Sequence, residues 1–235
     1  MLADSFRAEE IHPSLWRASQ LARGRTRVVE TGYPALSAEL PGGGWPLGAL
    51  LDLLVQQAGI GEMRLLQPAL SALGERPIAL LQPPQVPNGL GLGYIGLPLD
   101  RLLHVKAPKT GDALWSAEQI LRAGSCGALI FWAPYAQPSS LRRLHLAAQS
   151  GETLFVMVRP STIAQDASPA LLRLALRPSA EGLMVDIVKR RGPSRTEPLS
   201  IPLQPTPVLL SRHARLSRRP FAETGARSIP AEVAA

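Results

Sequence analysis

The sequence is poor in the residues that supply redox and metal chemistry. Cysteine occurs once in 235 residues, as Cys126, so no disulfide can form within the chain. The four histidines, His12, His104, His145 and His213, lack the spacing of metal ligands. We therefore expect no metal and no other cofactor, and a lone thiol fits a reducing compartment such as the cytoplasm.

Aromatic residues and long apolar runs are also scarce. Only 5% of the residues are aromatic, whereas 46% are hydrophobic, so aliphatic side chains must fill the core. No uninterrupted apolar run approaches the roughly 18 residues that a membrane-spanning helix needs. The composition predicts a cytoplasmic protein with one core domain of ordinary size, and association with the nucleoid is an open alternative.

Positive charge is concentrated near the end of the chain. Residues 170–219 contain ten Lys and Arg against three acidic residues, 10 − 3 = +7, which equals the net charge of the whole chain. A local basic excess predicts a polyanionic partner such as DNA, with a merely solvated basic rim as the alternative. The candidate DNA-binding residues are Lys189, Arg190, Arg191, Arg195, Arg212, Arg215, Arg218 and Arg219.

The pattern divides the chain into three parts. Residues 14–23 carry apolar residues at helical spacing, which predicts an amphipathic helix in an N-terminal segment, 1–32. Residues 33–204 are the predicted core domain. Periodicity fades after it, which predicts a basic, flexible tail, 205–235. The apolar residues Leu209, Leu210, Leu216 and Phe221 in this tail are candidate partner-binding anchors, with a plain disordered tail as the alternative.

Strands and helices alternate through the predicted core. The predicted strands are 50–55, 77–82, 102–105, 128–132 and 154–158, and the predicted helices are 61–74, 113–123 and 139–149. Apolar strands separated by helices indicate a mainly parallel sheet covered on both faces, a three-layer α/β core. Residues 171–177 and 183–189, joined by a five-residue turn, predict an antiparallel hairpin at its C-terminal edge. Residues 33–48 and 83–93 are predicted to be loops and turns because they are rich in Pro and Gly.

The segment between the first core strand and the first core helix has the position of a phosphate-binding loop. That loop requires the frame G-x-x-x-x-G-K-[ST]. With Gly61 as the second glycine, Gln56 stands at the first glycine, Glu62 at the lysine and Met63 at the hydroxyl residue. A carboxylate at a helix start suits the helix dipole but repels phosphate. The sequence predicts a degenerate nucleotide loop, with weak anion binding by the N–H groups of Gly59 to Glu62 left open.

Two runs resemble the RecA recombinase family. Residues 42–53, GGGWPLGALLDL, resemble the approach to its ATP loop, and residues 111–124 resemble the helix before its metal-binding strand. Within that superfamily, residues 11–17 and 58–62 are most similar to the ImuA family, RecA-like proteins encoded with the ImuB polymerase homologue. Several relatives in the group are also described as SulA-like division inhibitors. The resemblance covers about residues 33–192 and implies a RecA-like three-layer core.

The resemblance also implies that nucleotide chemistry has been lost. The metal-binding aspartate of the family falls on Trp132, and its catalytic glutamate falls near Pro84. Together with Glu62 and Met63, these replacements remove all the groups that Mg-ATP hydrolysis needs at those positions. We therefore expect a protein that is not an enzyme, in which Trp132 fills the vacated site.

The function implied by the resemblance is that of an accessory protein in damage-inducible, error-prone translesion DNA synthesis. Its expected partners are an ImuB-type polymerase homologue and an error-prone replicative-type polymerase. RecA and DNA are further candidates, and no membrane partner is expected. The alternative is a SulA-like inhibitor that binds a tubulin-like division GTPase. The arginines near the end of the chain favour the DNA-linked function, because a division inhibitor needs no phosphate contacts.

Overall fold

A computed structural model describes residues 27–193 and 195–203 of the chain. The predicted N-terminal helix and the predicted tail, 205–235, lie outside the described residues. So do four of the candidate DNA-binding arginines and all four candidate anchors: Arg212, Arg215, Arg218, Arg219, Leu209, Leu210, Leu216 and Phe221. Among the described residues, no helix has the length and apolarity needed to cross a bilayer.

The described part contains ten strands and five α-helices. The strands are β1 (Val28–Glu30), β2 (Gly44–Pro46), β3 (Ala49–Val55), β4 (Ile78–Leu81), β5 (Leu102–Val105), β6 (Ala128–Trp132), β7 (Leu154–Pro160), β8 (Leu172–Ser179), β9 (Gly182–Lys189) and β10 (Leu199–Pro202). The helices are α1 (Pro34–Glu39), α2 (Glu62–Ala72), α3 (Gly89–Tyr94), α4 (Thr110–Ala123) and α5 (Pro138–Ala148). Short 3-10 turns lie at Pro41–Gly43, Leu99–Arg101 and Ser161–Ile163.

Eight strands form one mixed sheet in the order β10-β9-β8-β3-β7-β6-β4-β5. The neighbours from β8 to β5 all pair in parallel, whereas β9 runs antiparallel to both β8 and β10. The mainly parallel α/β sheet with an antiparallel C-terminal hairpin is therefore confirmed. The strand β3 lies between β7 and β8, and all of its residues are buried. That position explains why its sequence is a nearly continuous apolar run.

Helices pack on both faces of this sheet. On one face, Leu65, Leu66 and Leu70 of α2 join Leu51 and Leu53 of β3 in one apolar cluster. A second cluster combines apolar residues of α4 and α5 with side chains from the opposite face of the sheet, including Leu50, Leu129, Phe131 and Phe155. Side chains alternate between the faces of a strand, so Leu50 and Leu51 enter different clusters. The arrangement is compatible with the predicted three-layer core.

Several predicted loops contain short elements. Residues 33–48 hold α1, a 3-10 turn and β2, and β2 pairs with β1 in a separate two-stranded sheet. Residues 83–93 are not loop throughout, because α3 begins at Gly89 with Asn88 as its cap, whose side chain accepts from the N–H of Gly91. The five-residue turn is also wrong: Ser179 pairs with Gly182, so only two residues connect β8 and β9.

A cluster of charged side chains lies in the centre of the main sheet. Asp52 in β3 is fully buried, and Arg159 in β7 and Arg173 in β8 are almost fully buried. The Oδ2 atom of Asp52 accepts hydrogen bonds from Arg173 Nε at 3.1 Å, Ser168 Oγ at 2.8 Å and Arg159 Nη1 at 3.5 Å. Burial lowers the pKa of the Arg159 guanidinium, an effect that the neighbouring Asp52 opposes. The cluster connects three adjacent strands.

Arg173 extends this cluster into the connection between β7 and β8. Its two terminal nitrogens donate to the carbonyl oxygens of Ile163, Ala164 and Asp166, each at 2.9 Å. The guanidinium group therefore holds an irregular segment over the sheet while its Nε bonds Asp52. Loss of Asp52 would leave two guanidinium groups in the interior without their carboxylate.

We predict that Asp52→Ala lowers the free energy of unfolding by about 3–5 kcal/mol, because breaking a buried ion cluster leaves uncompensated charge. The matched control is Asp186→Ala, which removes a more exposed carboxylate that accepts from Arg177 Nη2 at 2.9 Å. The control should cost about 0–1 kcal/mol. Urea denaturation followed by circular dichroism measures both. Equal losses in the two variants would show that the central cluster does not stabilise the sheet.

Candidate functional site

A cleft of about 590 Å³ opens at the carboxyl ends of β3, β4 and β6. This edge of a parallel sheet is where α/β proteins bind ligands. Three parts of the chain form most of the lining: the loop after β3 with the start of α2, the segment 83–88 after β4, and Trp132 at the end of β6. Leu80 of β4 and Leu92 of α3 complete it. Among the described residues, Glu62 is the only charged one that lines the cleft, and no Lys or Arg does so.

The Glu62 carboxylate folds back onto the loop that precedes it. Its Oε1 atom accepts from the backbone N–H of Gly59 at 2.7 Å, and its Oε2 atom accepts from the N–H of Gly61 at 3.2 Å. The side chain is 3% exposed. Glu62 is also the first residue of α2, where a negative charge is favoured by the helix dipole. An internal carboxylate thus occupies two loop donors that would otherwise be available to an external anion.

Glycine is required at position 61 for two reasons. Gly61 has φ of 128°, a conformation that other residues rarely adopt. A Cβ atom there would lie 2.9 Å from Leu203 Cδ1 and 3.6 Å from the methyl groups of Leu183. The loop therefore packs against β9 and the residue after β10. The short N–H to carboxylate bonds and this packing hold the loop in one conformation.

The wall of the cleft opposite the loop begins at a strained residue. Gln82, directly after β4, has φ of 53°, the only positive value among the described residues other than glycine. Its side-chain amide donates to the carbonyl oxygen of Ala107 and accepts from the N–H of the same residue at 3.3 Å. These bonds fix the direction in which Pro83 and Pro84 leave the sheet. Strain of this kind tends to occur at functional sites.

Trp132 forms a side of the cleft but does not fill it. The residue pairs with Val158 in the sheet and packs partly buried against the α2 face of the core. Its indole Nε1 is buried and has no hydrogen-bond partner among the described residues. The expectation that Trp132 fills the vacated space is therefore wrong, because an open cleft remains beside it.

The structure brings together most of the loop and cleft residues that the sequence singled out. Gly59, Glu62, Met63, Pro84 and Trp132 all line one cleft, although they come from three separate segments. Gln56 and Gly61 do not line it, and Gln56 is exposed at the end of β3. The roles of Gln82 and of the Glu62 carboxylate were not predicted. The sequence feature that could have indicated the role of Glu62 is its position at a helix start, after two glycines in the preceding loop.

The candidate DNA-binding residues in the described part do not share one environment. Lys189 donates to the carbonyl oxygen of Ser168 at 2.8 Å, and Arg191 is exposed. Arg190 and Arg195 both form ion pairs with Glu39 at the end of α1, the first at 2.7 Å. The pKa of Glu39 is lowered, mainly by its hydrogen bond with Arg190. Two of the four arginine and lysine charges are thus already partnered by a carboxylate.

No arrangement suited to a metal ion occurs within residues 27–193 and 195–203, judged by groups of three or more His, Cys, Asp or Glu. The single thiol, Cys126, is buried, and burial raises its pKa, which disfavours a reactive thiolate. The described side chains therefore present no assembled metal or thiol centre. The cleft with its self-bonded loop is the strongest candidate site.

Comparison with known proteins gives one distant similarity. No family model matches the chain. A stretch of 98 residues is 29% identical to the cell division inhibitor SulA of Edwardsiella piscicida, over 41% of this chain and 58% of that protein. The chain thus spans less than two thirds of the length of that relative. The match supports a distant SulA-like relationship, and it gives no support for the ImuA family.

We predict that Glu62→Ala creates an anion site by freeing the N–H groups of Gly59 and Gly61. Sulfate at about tenfold its Kd should then stabilise the variant by about 1.4 kcal/mol. Sulfate stabilises folded proteins in general, so the measured quantity is the excess shift in Tm over the wild type. Glu75→Ala, which removes an exposed carboxylate beyond the other end of α2, is the matched control. Equal shifts in all three proteins would show that the loop does not bind anions even when empty.

Proposed function

We propose that this protein is a non-enzymatic accessory protein of a damage-inducible translesion DNA synthesis complex. In this proposal a RecA-like core binds a Y-family-polymerase-like partner, and an error-prone replicative-type polymerase joins the complex. The observation that carries the non-enzymatic part is the Glu62 carboxylate, which takes the N–H donors of Gly59 and Gly61 for itself. A loop whose donors are already bonded offers a triphosphate little stabilisation, and its negative charge repels one.

The four replaced positions lie close together in the structure, which supports a degenerate nucleotide site. Glu62, Met63, Pro84 and Trp132 were assigned to the lysine, hydroxyl, glutamate and aspartate positions of the RecA family from separate parts of the sequence. All four line the same cleft. The catalytic groups of an ATPase must likewise converge on one phosphate, so the correspondence is spatially coherent. The protein in this view keeps the architecture and has exchanged its chemistry for protein binding.

A SulA-like inhibitor of cell division is the second candidate, and the sequence similarity to SulA favours it. That function also needs no nucleotide chemistry, so the closed loop is compatible with both. DNA contact distinguishes them. Among the described candidates, Lys189 and Arg191 are exposed and form no ion pair with a described carboxylate, whereas Arg190 and Arg195 would have to leave Glu39 to bind phosphate. Direct DNA binding is therefore a smaller part of the proposal than partner binding.

We predict that the wild-type protein gains no stability from Mg-ATP. A ligand at 100 times its Kd stabilises a protein by about 2.7 kcal/mol, which raises Tm by roughly 5–10 °C in a chain of this size. Millimolar Mg-ATP should shift Tm by less than about 1 °C, because Glu62 repels the phosphates and none of the described Lys or Arg residues lines the cleft. Differential scanning fluorimetry with a phosphate-release assay measures this. A saturable shift of several degrees, or phosphate release above background, would refute the non-enzymatic assignment.

We predict that the tagged full-length protein co-purifies with the polymerase homologue of its own organism and not with the division GTPase. Deleting residues 206–235 should weaken this complex, because it removes the apolar anchors Leu209, Leu210, Leu216 and Phe221. The fold should survive the deletion, since β10 ends at Pro202. Capture of the GTPase, together with filamentous cells on overproduction, would establish the SulA-like function instead. Capture of neither partner would refute both candidates.

A further inference from the structure

The two ends of the main sheet differ in how they are protected. At one end, Leu199 and Ile201 of β10 are buried and α1 packs beside the strand. At the other end, β5 pairs only with β4, and no strand lies beyond it in the described part of the chain. Leu103 and His104 of β5 are exposed. An uncovered edge strand is a template for pairing with another extended segment.

The backbone of β5 presents unused hydrogen-bonding groups at this edge. The N–H of Gln82 donates to the carbonyl oxygen of Val105 at 3.0 Å, so Val105 directs its carbonyl toward the β4 side. Successive residues of a strand alternate in direction, so His104 directs both its N–H and its C=O away from β4. In the observed parallel register, neither group of His104 is directed at β4, the only strand that pairs with β5 in the described part. An added extended chain could bond these groups together with the carbonyl of Leu102.

Exposed apolar side chains are frequent in the segment of the chain that leads into β5. The described residues contain nine large hydrophobic side chains that are exposed, and five of them lie within residues 86–103. These five are Val86, Leu90, Tyr94, Leu99 and Leu103. A Cβ atom on Gly93 would lie 3.2 Å from Leu99 Cδ1, so α3 and the turn before β5 are in contact. Such a concentration of exposed apolar residues is typical of an interaction surface.

The charges beside β5 are mainly positive. Residues 100–109 contain Arg101, Lys106 and Lys109 against Asp100, which gives 3 − 1 = +2. None of these four side chains forms an ion pair with another described residue. The Nη1 atom of Arg101 is buried without a hydrogen-bond partner in the described part. Arg101 therefore has a guanidinium nitrogen whose hydrogen-bonding capacity the described residues do not use.

We propose that the β5 edge binds an extended segment of a partner protein, in which apolar and acidic residues alternate, as a ninth strand of the sheet. The apolar side chains of that segment would cover Leu103 and its neighbours, and its carboxylates would meet Arg101, Lys106 and Lys109. This mode of recognition uses main-chain bonds for affinity and side chains for specificity. The identity of the partner as a polymerase homologue rests on the proposed function, whereas the chemistry of the segment does not.

A second copy of this chain fits the same edge less well. Joining two β5 edges would bring the cations beside each strand to one interface, a like-charge arrangement that destabilises association. An acidic strand removes this repulsion and gains attraction instead. The positive charge beside β5 therefore favours an acidic segment of a different protein over a second copy of this chain.

The test uses the full-length protein and a short fluorescein-labelled peptide in which valine or isoleucine alternates with glutamate. Fluorescence anisotropy should show saturable binding. His104→Pro removes the outward N–H and should weaken binding by about tenfold, whereas His104→Ala keeps it and should not. Lys106→Glu with Lys109→Glu should also weaken binding, whereas Arg142→Glu on the exposed face of α5 should not. Circular dichroism confirms that each variant is folded.

A second test changes the peptide and leaves the protein unmodified, so it cannot affect the fold of the protein. Methylating alternate backbone nitrogens of the peptide blocks strand pairing but preserves its side chains, so the wild-type protein should lose affinity for it. Equal binding of both peptides, or no binding of either, would overturn the proposal. A dimer of the protein that His104→Pro dissociates in analytical ultracentrifugation would assign the edge to a second copy and also overturn it. Peptide binding without capture of the polymerase homologue would refute the proposed function alone.

Discussion

The buried ion cluster around Asp52 is the interaction on which the main sheet depends. The strand β3 is otherwise a uniform run of apolar residues, so its neighbours could shift by two residues without exposing an apolar face. Asp52 makes such a shift unfavourable, because it lies directly across from Arg173 and within hydrogen-bond reach of Arg159 only in the observed register. The register of β7, β3 and β8 in turn determines where the loop after β3 begins. The site at the carboxyl edge thus depends on a charge cluster near the middle of the sheet.

A second carboxylate determines what that edge can bind. Glu62 uses both of its oxygens on the loop it follows, so the protein itself occupies the N–H donors of Gly59 and Gly61. The same helix start without this carboxylate would favour an anion through its free N–H groups and dipole. Loss of the lysine alone would weaken phosphate binding. The Glu62 carboxylate weakens it further, because it competes with phosphate for the N–H groups of the loop. A cleft to which the described part of the chain contributes no cation suits neutral or protein ligands better than nucleotides.

The surface outside the cleft also suits the binding of another protein. The edge of β5 is exposed and follows a segment, 86–103, that carries five exposed large apolar side chains, whereas the described residues present no assembled metal or thiol centre. A translesion accessory protein and a division inhibitor would each act by binding another protein. The distant similarity to SulA and the architecture are compatible with both. The difference between them lies in which partner is bound.

The sequence by itself determined the order of elements and the nature of the sheet. Apolar runs such as 50–55 and 128–132 predicted buried parallel strands, and the spacing of the loop showed the replacement at Glu62. The replacement at Trp132 was implied by the resemblance to the RecA family. It could not determine that Glu62 turns back onto Gly59, because a side-chain direction follows from the three-dimensional path of the loop. It also missed the short strands β1, β2 and β10, whose few residues form strands only through their partners. Tertiary structure decided as well that Arg190 and Arg195 meet Glu39 and that β5 is an edge. Those facts depend on contacts between residues far apart in the chain, which local patterns do not encode.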